Sequence, residues 1–451
     1  MKIVVIGCGT IGKTIVEHVS KEKHNLVIID TDNDTVEELI EKYDVMGVVG
    51  NGACLDIQEE AKIQNADLVI AVSPKDEINI MACMLAKKLG AESTIARVRN
   101  PEYRRQTVLM KEELGLSMVV NPEQETSDEI MNLINIPSVL KLEKFANGKV
   151  NLIEILLEDD NPLIGETLIS MNKKIKTKVL ICAVERHDEV FIPTGNFKME
   201  KGDRISITAD ANSLVSFLKE LNLIKTPLKK IMIVGGSKVS YYLAKELLDK
   251  KYKVKLIELD KNRASELAIL LPKANIICGD GTDHEVLKEE GINSTDAFVA
   301  LTNIDEENII VSMYALKQHV RKVITKVKRT NLIGMMDELG IANVVSPKEI
   351  VANKIVSYIR ALSNSRGSNV ITLYKLVDNK VEALEFVAKK KSRIHGKPFK
   401  ELKIKANCLI ACIIRNGEVI IPNGNDCILL NDNVIVVTTH EQFDDLRDAF
   451  E

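Results

Sequence analysis

The chain has 451 residues, a net charge of −4, and 45% hydrophobic against 28% charged residues. It is too long for one hydrophobic core and ordinary in composition for a globular protein, so three or four domains are expected. A pI near 6.1 excludes a general nucleic-acid-binding stripe, and no stretch reaches the roughly 18 apolar residues of a membrane span.

Met1-Lys2 runs directly into a first apolar strand, so no targeting segment is expected. Short Val/Ile-rich runs follow at 3–6, 26–29, 45–49, 68–72, 94–98 and 118–120, separated by helix-period segments such as 13–21 and 78–88. Apolar strands alternating with amphipathic helices specify a parallel sheet covered on both faces, here of Rossmann type.

The first run leads into Gly7-Cys8-Gly9-Thr10-Ile11-Gly12. Gly7 permits the tight turn, Gly9 lets backbone approach a pyrophosphate, and Gly12 lets helix pack closely on sheet. The N–H groups of Thr10 and Ile11 open a helix whose positive end attracts a diphosphate. Asp30 ends the second strand, placed to accept hydrogen bonds from an adenosine ribose diol and to repel a 2′-phosphate. The plain alternative is a glycine-rich turn with a solvent-facing Asp. The strand–loop–helix–acid context favours NAD(H) or another adenine nucleotide such as ATP or ADP, and disfavours NADP. Asn51-Gly52 and Ser73-Pro74 end strands three and four and would border the adenine and the second ribose. Arg97, ending strand five, is placed to reach a phosphate or to form a structural salt bridge.

A different texture begins near 151. Strand-like runs at 151–157, 179–184, 189–192 and 204–208 are broken by Asn161-Pro162, Gly165, Pro193 and Gly202-Asp203. They read as a small α+β module of about 80 residues with one helix after its first strand. Residues 225–230 read as a linker.

The second half repeats this order. A strand at 231–234 leads into Gly235-Gly236-Ser237-Lys238-Val239-Ser240, in which Ser237 and Ser240 replace the second and third glycines. Glu258 replaces Asp30, Gly279-Asp280-Gly281 matches Gly50-Asn51-Gly52, and Asp305-Glu306-Glu307-Asn308 matches Asp76-Glu77-Ile78-Asn79. Val344-Val345-Ser346-Pro347 matches Val119-Val120-Asn121-Pro122, and Lys326 stands where Arg97 stood. Gly235 and Glu258 keep a candidate site, but side chains now stand where backbone must approach phosphate. This copy should bind a dinucleotide weakly or not at all, with a mononucleotide or a purely structural role as alternatives. The tail repeats the small module. The expected domains are 1–137, 138–224, 228–362 and 368–451. Crossover-helix segments at 130–140 and 355–362 would either pair domains or pack within their own.

Catalytic patterns are lacking. None of the seven histidines falls at a strand end beside the position a nicotinamide would take, and no nucleophile elbow, Walker loop, HExxH or zinc pattern occurs. An NAD-dependent oxidoreductase, with the small modules as substrate domains, is the competing reading, but they offer no evident acid/base group. The eight cysteines form no CxxC pair and read mostly as small buried hydrophobes. The basic runs 321–328 and 389–393 read as solvated faces.

The Gly7 loop, Ile29-Asp30, Val49 to Gly52, Ala71-Val72-Ser73 and 95–103 (Ile-Ala-Arg-Val-Arg-Asn-Pro-Glu-Tyr) strongly resemble the RCK (KTN) domains of potassium transport. Two such domains in tandem, each with a C-terminal module, resemble the peripheral regulatory subunits of Trk-type potassium uptake, over essentially the whole chain. The resemblance implies a non-enzymatic chain at the inner face of the cell membrane, held by a membrane-embedded potassium-translocating subunit. It also implies rings of eight RCK units, hence a homotetramer, and nucleotide contacts at Gly7, Gly9, Thr10, Ile11, Gly12, Asp30, Ser73, Pro74 and Arg97. In some relatives the C-terminal modules bind further ligands, including cyclic di-AMP; no residue here points to one.

Overall fold

The computed structural model describes all residues except 23, 101–102, 104–112, 137–138, 146–148, 159–160, 188, 224–227, 337, 366–369, 377–379, 390–392, 440–442 and 444. Parts of the expected linker, of the basic run at 389–393 and of the 95–103 motif, together with His440, lie outside the described residues. The chain divides into two compact units, Met1–Met131 with Lys229–Ile359, and Asn132–Leu228 with Arg360–Glu451. No helix among the described residues is long and apolar enough to cross a membrane.

Strands β1 (Lys2–Ile6), β2 (Asn25–Asp30), β3 (Val45–Val49), β4 (Leu68–Ala71), β5 (Ser93–Arg97) and β6 (Met118–Val120) form one sheet in the order β3-β2-β1-β4-β5-β6. Every neighbouring pair is parallel. Helices α1 (Thr10–Val19), α2 (Asn33–Lys42), α3 (Leu55–Glu60) and α4 (Asp76–Leu89) cross between strands, and α5 (Pro122–Asn135) follows β6. Successive residues Val4 and Val5, or Ile28 and Ile29, point to opposite faces and are all fully buried, so both faces are covered. The strand order reverses between β1 and β4, which opens a crevice at their carboxyl ends. Pro122 opens α5, where its missing N–H costs nothing, and Asn121 Oδ1 accepts from the N–H groups of Glu123 and Gln124. The helix ends at Asn135, short of the 130–140 span expected, and Ile130, Met131, Leu133 and Ile134 are buried.

Next come β7 (Lys141–Phe145), β8 (Val150–Leu156), α6 (Leu168–Lys174), β9 (Leu180–Arg186), β10 (Glu189–Phe191), β11 (Arg204–Asp210) and α7 (Ala211–Glu220), with an antiparallel sheet in the order β10-β9-β11-β8-β7. Thr167 and Ser170 form a capping box on α6.

The second parallel sheet runs β14-β13-β12-β15-β16-β17, from β12 (Lys230–Val234), β13 (Lys253–Glu258), β14 (Asn275–Cys278), β15 (Ala297–Ala300), β16 (Lys322–Lys326) and β17 (Val344–Val345). Its helices are α8 (Lys238–Asp249), α9 (Lys261–Leu270), α10 (His284–Glu289), α11 (Asp305–Lys317), α12 (Ile333–Met336) and α13 (Pro347–Ser365). One expectation fails here. Only the ends of the run 321–328, Arg321 and Lys328, are exposed; β16 lies inside the sheet between β15 and β17, leaving Lys322 and Lys326 only 3% and 4% exposed. Burial pushes their amines down to about 7 and about 8.

The second module has β18 (Val370–Leu376), β19 (Val381–Val387), β20 (Cys408–Arg415), β21 (Glu418–Ile420) and β22 (Asn433–Thr438), in the order β18-β19-β22-β20-β21. Where the first module carries a helix after its first strands, the second has a single 3₁₀ turn, Phe399–Glu401. Both modules share a buried clamp: Asp203 takes Arg186 in a bidentate grip at 2.7 and 2.8 Å, and Asp432 takes Arg415 at 3.0 and 2.8 Å. The modules pack together through Leu152, Cys182 and Ala183 of one and Ala383, Cys412 and Val437 of the other. Cys8, Cys83, Cys182, Cys408 and Cys412 are buried as expected, whereas Cys427 is half-buried and Cys54 and Cys278 are exposed at the rims of the two parallel sheets.

Candidate functional site

In the first crevice the glycine loop is shaped by contacts that only glycine permits. Gly7 has a φ of +89°, and a Cβ there would lie 2.5 Å from the backbone nitrogen of Ser73. A Cβ on Gly12 would lie 2.1 Å from the Gly7 carbonyl oxygen, so this position sets how closely α1 approaches the loop. A Cβ on Gly52 would strike the Ile6 side chain at 2.2 Å. Gly9 differs: nothing lies within 4 Å of a Cβ built on it. Gly9 is the N-cap of α1, and no side chain caps that helix. No acceptor among the described residues takes the N–H groups of Thr10, Ile11 or Gly12, and open space lies beside Gly9, an arrangement suited to an anion.

Asp30 closes the other side. One carboxylate oxygen accepts from the Cys8 N–H and the other from the Asp32 N–H at 3.0 Å, which holds the group at the crevice edge with lone pairs to spare for a diol. Cys8 is not a nucleophile here. Burial, and then Asp30, push its thiol up to about 12. Thr10 and Ile11 begin α1. Asn51 turns its Oδ1 back to the Ala53 N–H at 3.0 Å, and Pro74 follows Ser73 at the end of the β4 loop.

Arg97 is not extended towards the crevice mouth, and it forms no ion pair among the described residues. It is 9% exposed, its Nη2 donates to the Ser73 carbonyl at 2.6 Å, and burial lowers its pKa. In this conformation it braces the Ser73 loop. The central brace is a residue that the motif reading passed over. Asn79, fully buried, accepts from the Ser73 N–H at 2.8 Å and donates to the Ser73 and Arg97 carbonyls at 3.0 and 2.9 Å. Asn308 makes the same three contacts with Thr302 and Lys326. The recurrence of Asp76…Asn79 as Asp305…Asn308 was the available signal.

The second crevice, of about 570 Å3, keeps the acid and changes the phosphate seat. Glu258 accepts from the N–H groups of Gly236 and Asp260, as Asp30 does from those of Cys8 and Asp32. The longer acid fits because Gly236 lacks a side chain: a Cβ there would lie 2.6 Å from Glu258 Oε2. Gly235 keeps the turn with a φ of +94°. Ser237, at the Gly9 position, caps α8 by accepting from the Ser240 N–H at 3.3 Å, and Ser240 donates to the Gly235 carbonyl. Arg263, which sequence reading did not single out, donates to the Gly236 carbonyl at 2.7 Å. Of the helix-start N–H groups, the one at the Gly12 position, on Ser240, is thus satisfied internally in the second loop.

A family model described as the TrkA-N domain matches residues 3–122 and 231–347, and one described as the TrkA-C domain matches 152–222 and 383–451. The chain is 32% identical over 445 residues to the Trk system potassium uptake protein TrkA homolog 1 of Methanosarcina mazei, covering 97% of each. It is 30% identical over 452 residues to the Trk system potassium uptake protein TrkA of Vibrio alginolyticus, covering 98% of this chain and 97% of that one. A solved GsuK channel bound to NAD shares the fold, with a TM-score of 0.62 at 17% identity over 98% of this chain and 77% of that one. With both parallel-sheet copies and both modules matched, and relatives aligned nearly end to end, the chain belongs to the TrkA family of Trk system potassium uptake proteins.

Proposed function

We propose that this chain is a nucleotide-reading regulatory subunit of potassium uptake. Its first crevice holds NAD(H), or an adenine nucleotide such as ATP or ADP, without consuming it, and ligand binding gates a membrane-embedded potassium-translocating partner. The observation that carries this reading is the uncapped α1 start over open space at Gly9, faced by the Asp30 carboxylate. Gly7, Gly9, Thr10, Ile11 and Gly12 seat the diphosphate, Asp30 takes the ribose diol, Asn51 and Gly52 flank the adenine, and Ser73 and Pro74 border the distal half. Arg97 serves by bracing Ser73.

A ligand gates only if it binds two arrangements of the assembly with different affinity. Tandem domains, proposed as 1–137, 138–224, 228–362 and 368–451, supply two RCK-type units per chain, and four chains would close a ring of eight. Apolar Met81 on α4 and Ile310 on α11 are 54% and 64% exposed, which suits them to faces between copies. The chain would sit at the inner face of the membrane through its partner.

Asp30→Ala removes a charged acceptor worth about 1.5–3 kcal/mol to the diol. NAD or ADP affinity measured by calorimetry should fall at least about tenfold with the fold intact. Unchanged affinity would refute the site, and turnover of NADH with a carbonyl compound at 340 nm would favour the oxidoreductase reading instead.

A further inference from the structure

We infer that the two parallel-sheet copies carry matched charge patterns, so that a first copy pairs with a second copy and not with its own kind. Both copies lie in one compact unit, and their contact is reciprocal. On one side, His18 of α1 lies 3.4 Å from Glu349 of α13. On the other, Asn121, which caps α5, donates from Nδ2 to the Tyr242 hydroxyl of α8 at 3.2 Å. A third contact joins the crossover helices themselves, where Lys354 of α13 pairs with Glu125 of α5. Helix α8 repeats α1 and α13 repeats α5, so each copy presents the same surface to the other, as identical domains do about a two-fold axis.

Identical domains would fail at these positions. Matching Gly7 with Gly235 and Pro122 with Pro347 makes Glu246 the counterpart of His18 and Gln124 that of Glu349. In the same register Ile350 answers to Glu125, and Glu129 to Lys354. Two first copies would therefore set Glu125 against Glu129 twice, once on each side of the axis. Two second copies would set Glu246 against Glu349 twice. The mixed pair sets no acid against an acid: Glu125 meets Lys354 and Glu349 meets His18, while Ile350 and Gln124 stand at the symmetry-related positions. The Glu125 and Glu349 side chains are only 20% and 27% exposed, so an acid facing either would be poorly screened by water. The hydrogen bond divides in the same way. Thr14 stands where Tyr242 does and donates its hydroxyl to the Thr10 carbonyl at 2.9 Å, and the shorter Ser346 stands where Asn121 does. Each ion pair alone adds little to stability. Partner choice, however, follows the difference between pairings, and the symmetry of a like pair counts each repulsion twice. Every such interface thus joins one Gly7–Gly12 loop to one Gly235–Ser240 loop, whatever either crevice binds.

Two substitutions build the like-pair contacts into the full chain, each lending one copy the residue of the other. Lys354→Glu should melt about 2–4 °C below wild type, and below Lys354→Gln, which removes only the attraction to Glu125. Adding Glu125→Lys to Lys354→Glu should restore the wild-type melting temperature. His18→Glu should melt lower in the same way, whereas His18→Gln, which copies the facing of Gln124 and Glu246, should stay near wild type. In the wild-type chain, zero-length carbodiimide coupling followed by mass spectrometry should join Glu125 to Lys354. Lys354→Glu melting together with Lys354→Gln, a reversed pair that does not recover, His18→Glu indistinguishable from His18→Gln, or a coupling map without the Glu125–Lys354 link would overturn the inference.

Discussion

Gly9→Ser transplants into the first loop the residue that closes the second, and stability and binding should then move in opposite directions. Nothing lies within 4 Å of a Cβ at Gly9, and its backbone, at φ −67° and ψ −164°, is one any residue adopts, so the substitution introduces no clash. Serine is a better N-cap than glycine by a few tenths of a kcal/mol, so the unliganded chain should melt at the same temperature or slightly higher. The new hydroxyl would accept from the Gly12 N–H, as Ser237 accepts from that of Ser240, and would project into the space where the diphosphate lies. A ligand must then displace that bond and give up a backbone contact, a loss of about 1.5–3 kcal/mol, or roughly 10- to 150-fold in affinity. Thermal unfolding with and without NAD reads both effects at once, because the ligand-induced rise in melting temperature grows with the logarithm of ligand over Kd. A variant that melts several degrees lower without ligand would show that α1 is not free at its start. Wild-type affinity would show that the diphosphate does not sit there.

Gly12→Ala is the opposite case: its Cβ would meet the Gly7 carbonyl oxygen at 2.1 Å, and the overpacking should cost about 1–3 kcal/mol in chemical denaturation, ligand or no ligand. Asp203→Ala strips the buried partner from Arg186 and should destabilise by about 3 kcal/mol, with Asp432→Ala matching it at Arg415; near-neutral values would show that the clamps are dispensable. Lys326 tests the pH dependence. Its folded pKa of about 8 lies below the ordinary 10.5, so its burial penalty is complete below pH 8 and disappears as pH rises towards 10.5. Wild type should therefore gain about 2 kcal/mol relative to Lys326→Met between pH 7 and pH 9.5, and equal pH profiles would refute the assignment.

The parallel sheets were legible because buried strands write themselves as uninterrupted Val/Ile runs, and all six strands of the first sheet fall within a residue or so of their apolar segments. The crevice was legible for the same reason: the glycine frame and Asp30 sit at strand ends, where backbone geometry fixes their relations. Lys322 and Lys326 were misplaced because a lysine in a basic run looks solvated until the sheet order puts its strand inside. Arg97 was given two fates, and the structure shows a third: a guanidinium can satisfy itself on a carbonyl just past the end of the neighbouring strand, which no local pattern encodes. Arg263 was invisible because its contact with the Gly236 carbonyl crosses from a helix face to a loop 27 positions earlier. The clamp of Asp203 on Arg186 escaped notice in the same way, although both residues recur as Asp432 and Arg415.

The two copies also differ in what lies beyond the crevice floor. In the first, Ser73 is tied to Asn79 and Arg97, Asp76 accepts from the N–H groups of Arg99 and Asn100 at 2.8 Å, and the Arg99 side chain reaches Glu123 in the first turn of α5. The ribose-bordering loop is thus joined to the start of a crossover helix through a few short hydrogen bonds. In the second, Asp305 accepts in the same way from Lys328 and Arg329, but the Arg329 side chain turns to Glu306 on α11, and Lys348 occupies the place of Glu123. A positive residue there offers an arginine no anchor. A ligand that shifts the Ser73 loop therefore acts on groups bonded to α5, whereas among the described residues Arg329 makes no equivalent bond to α13. If binding in both crevices contributes to regulation, the two contributions should be unequal. Arg99→Met should reduce the effect of the first ligand on the assembly more than it reduces that ligand's affinity, because Arg99 touches α5 and not the phosphate seat. Calorimetry and a potassium-flux assay on the same variant separate these effects, and an equal loss in both would place Arg99 in the binding site itself.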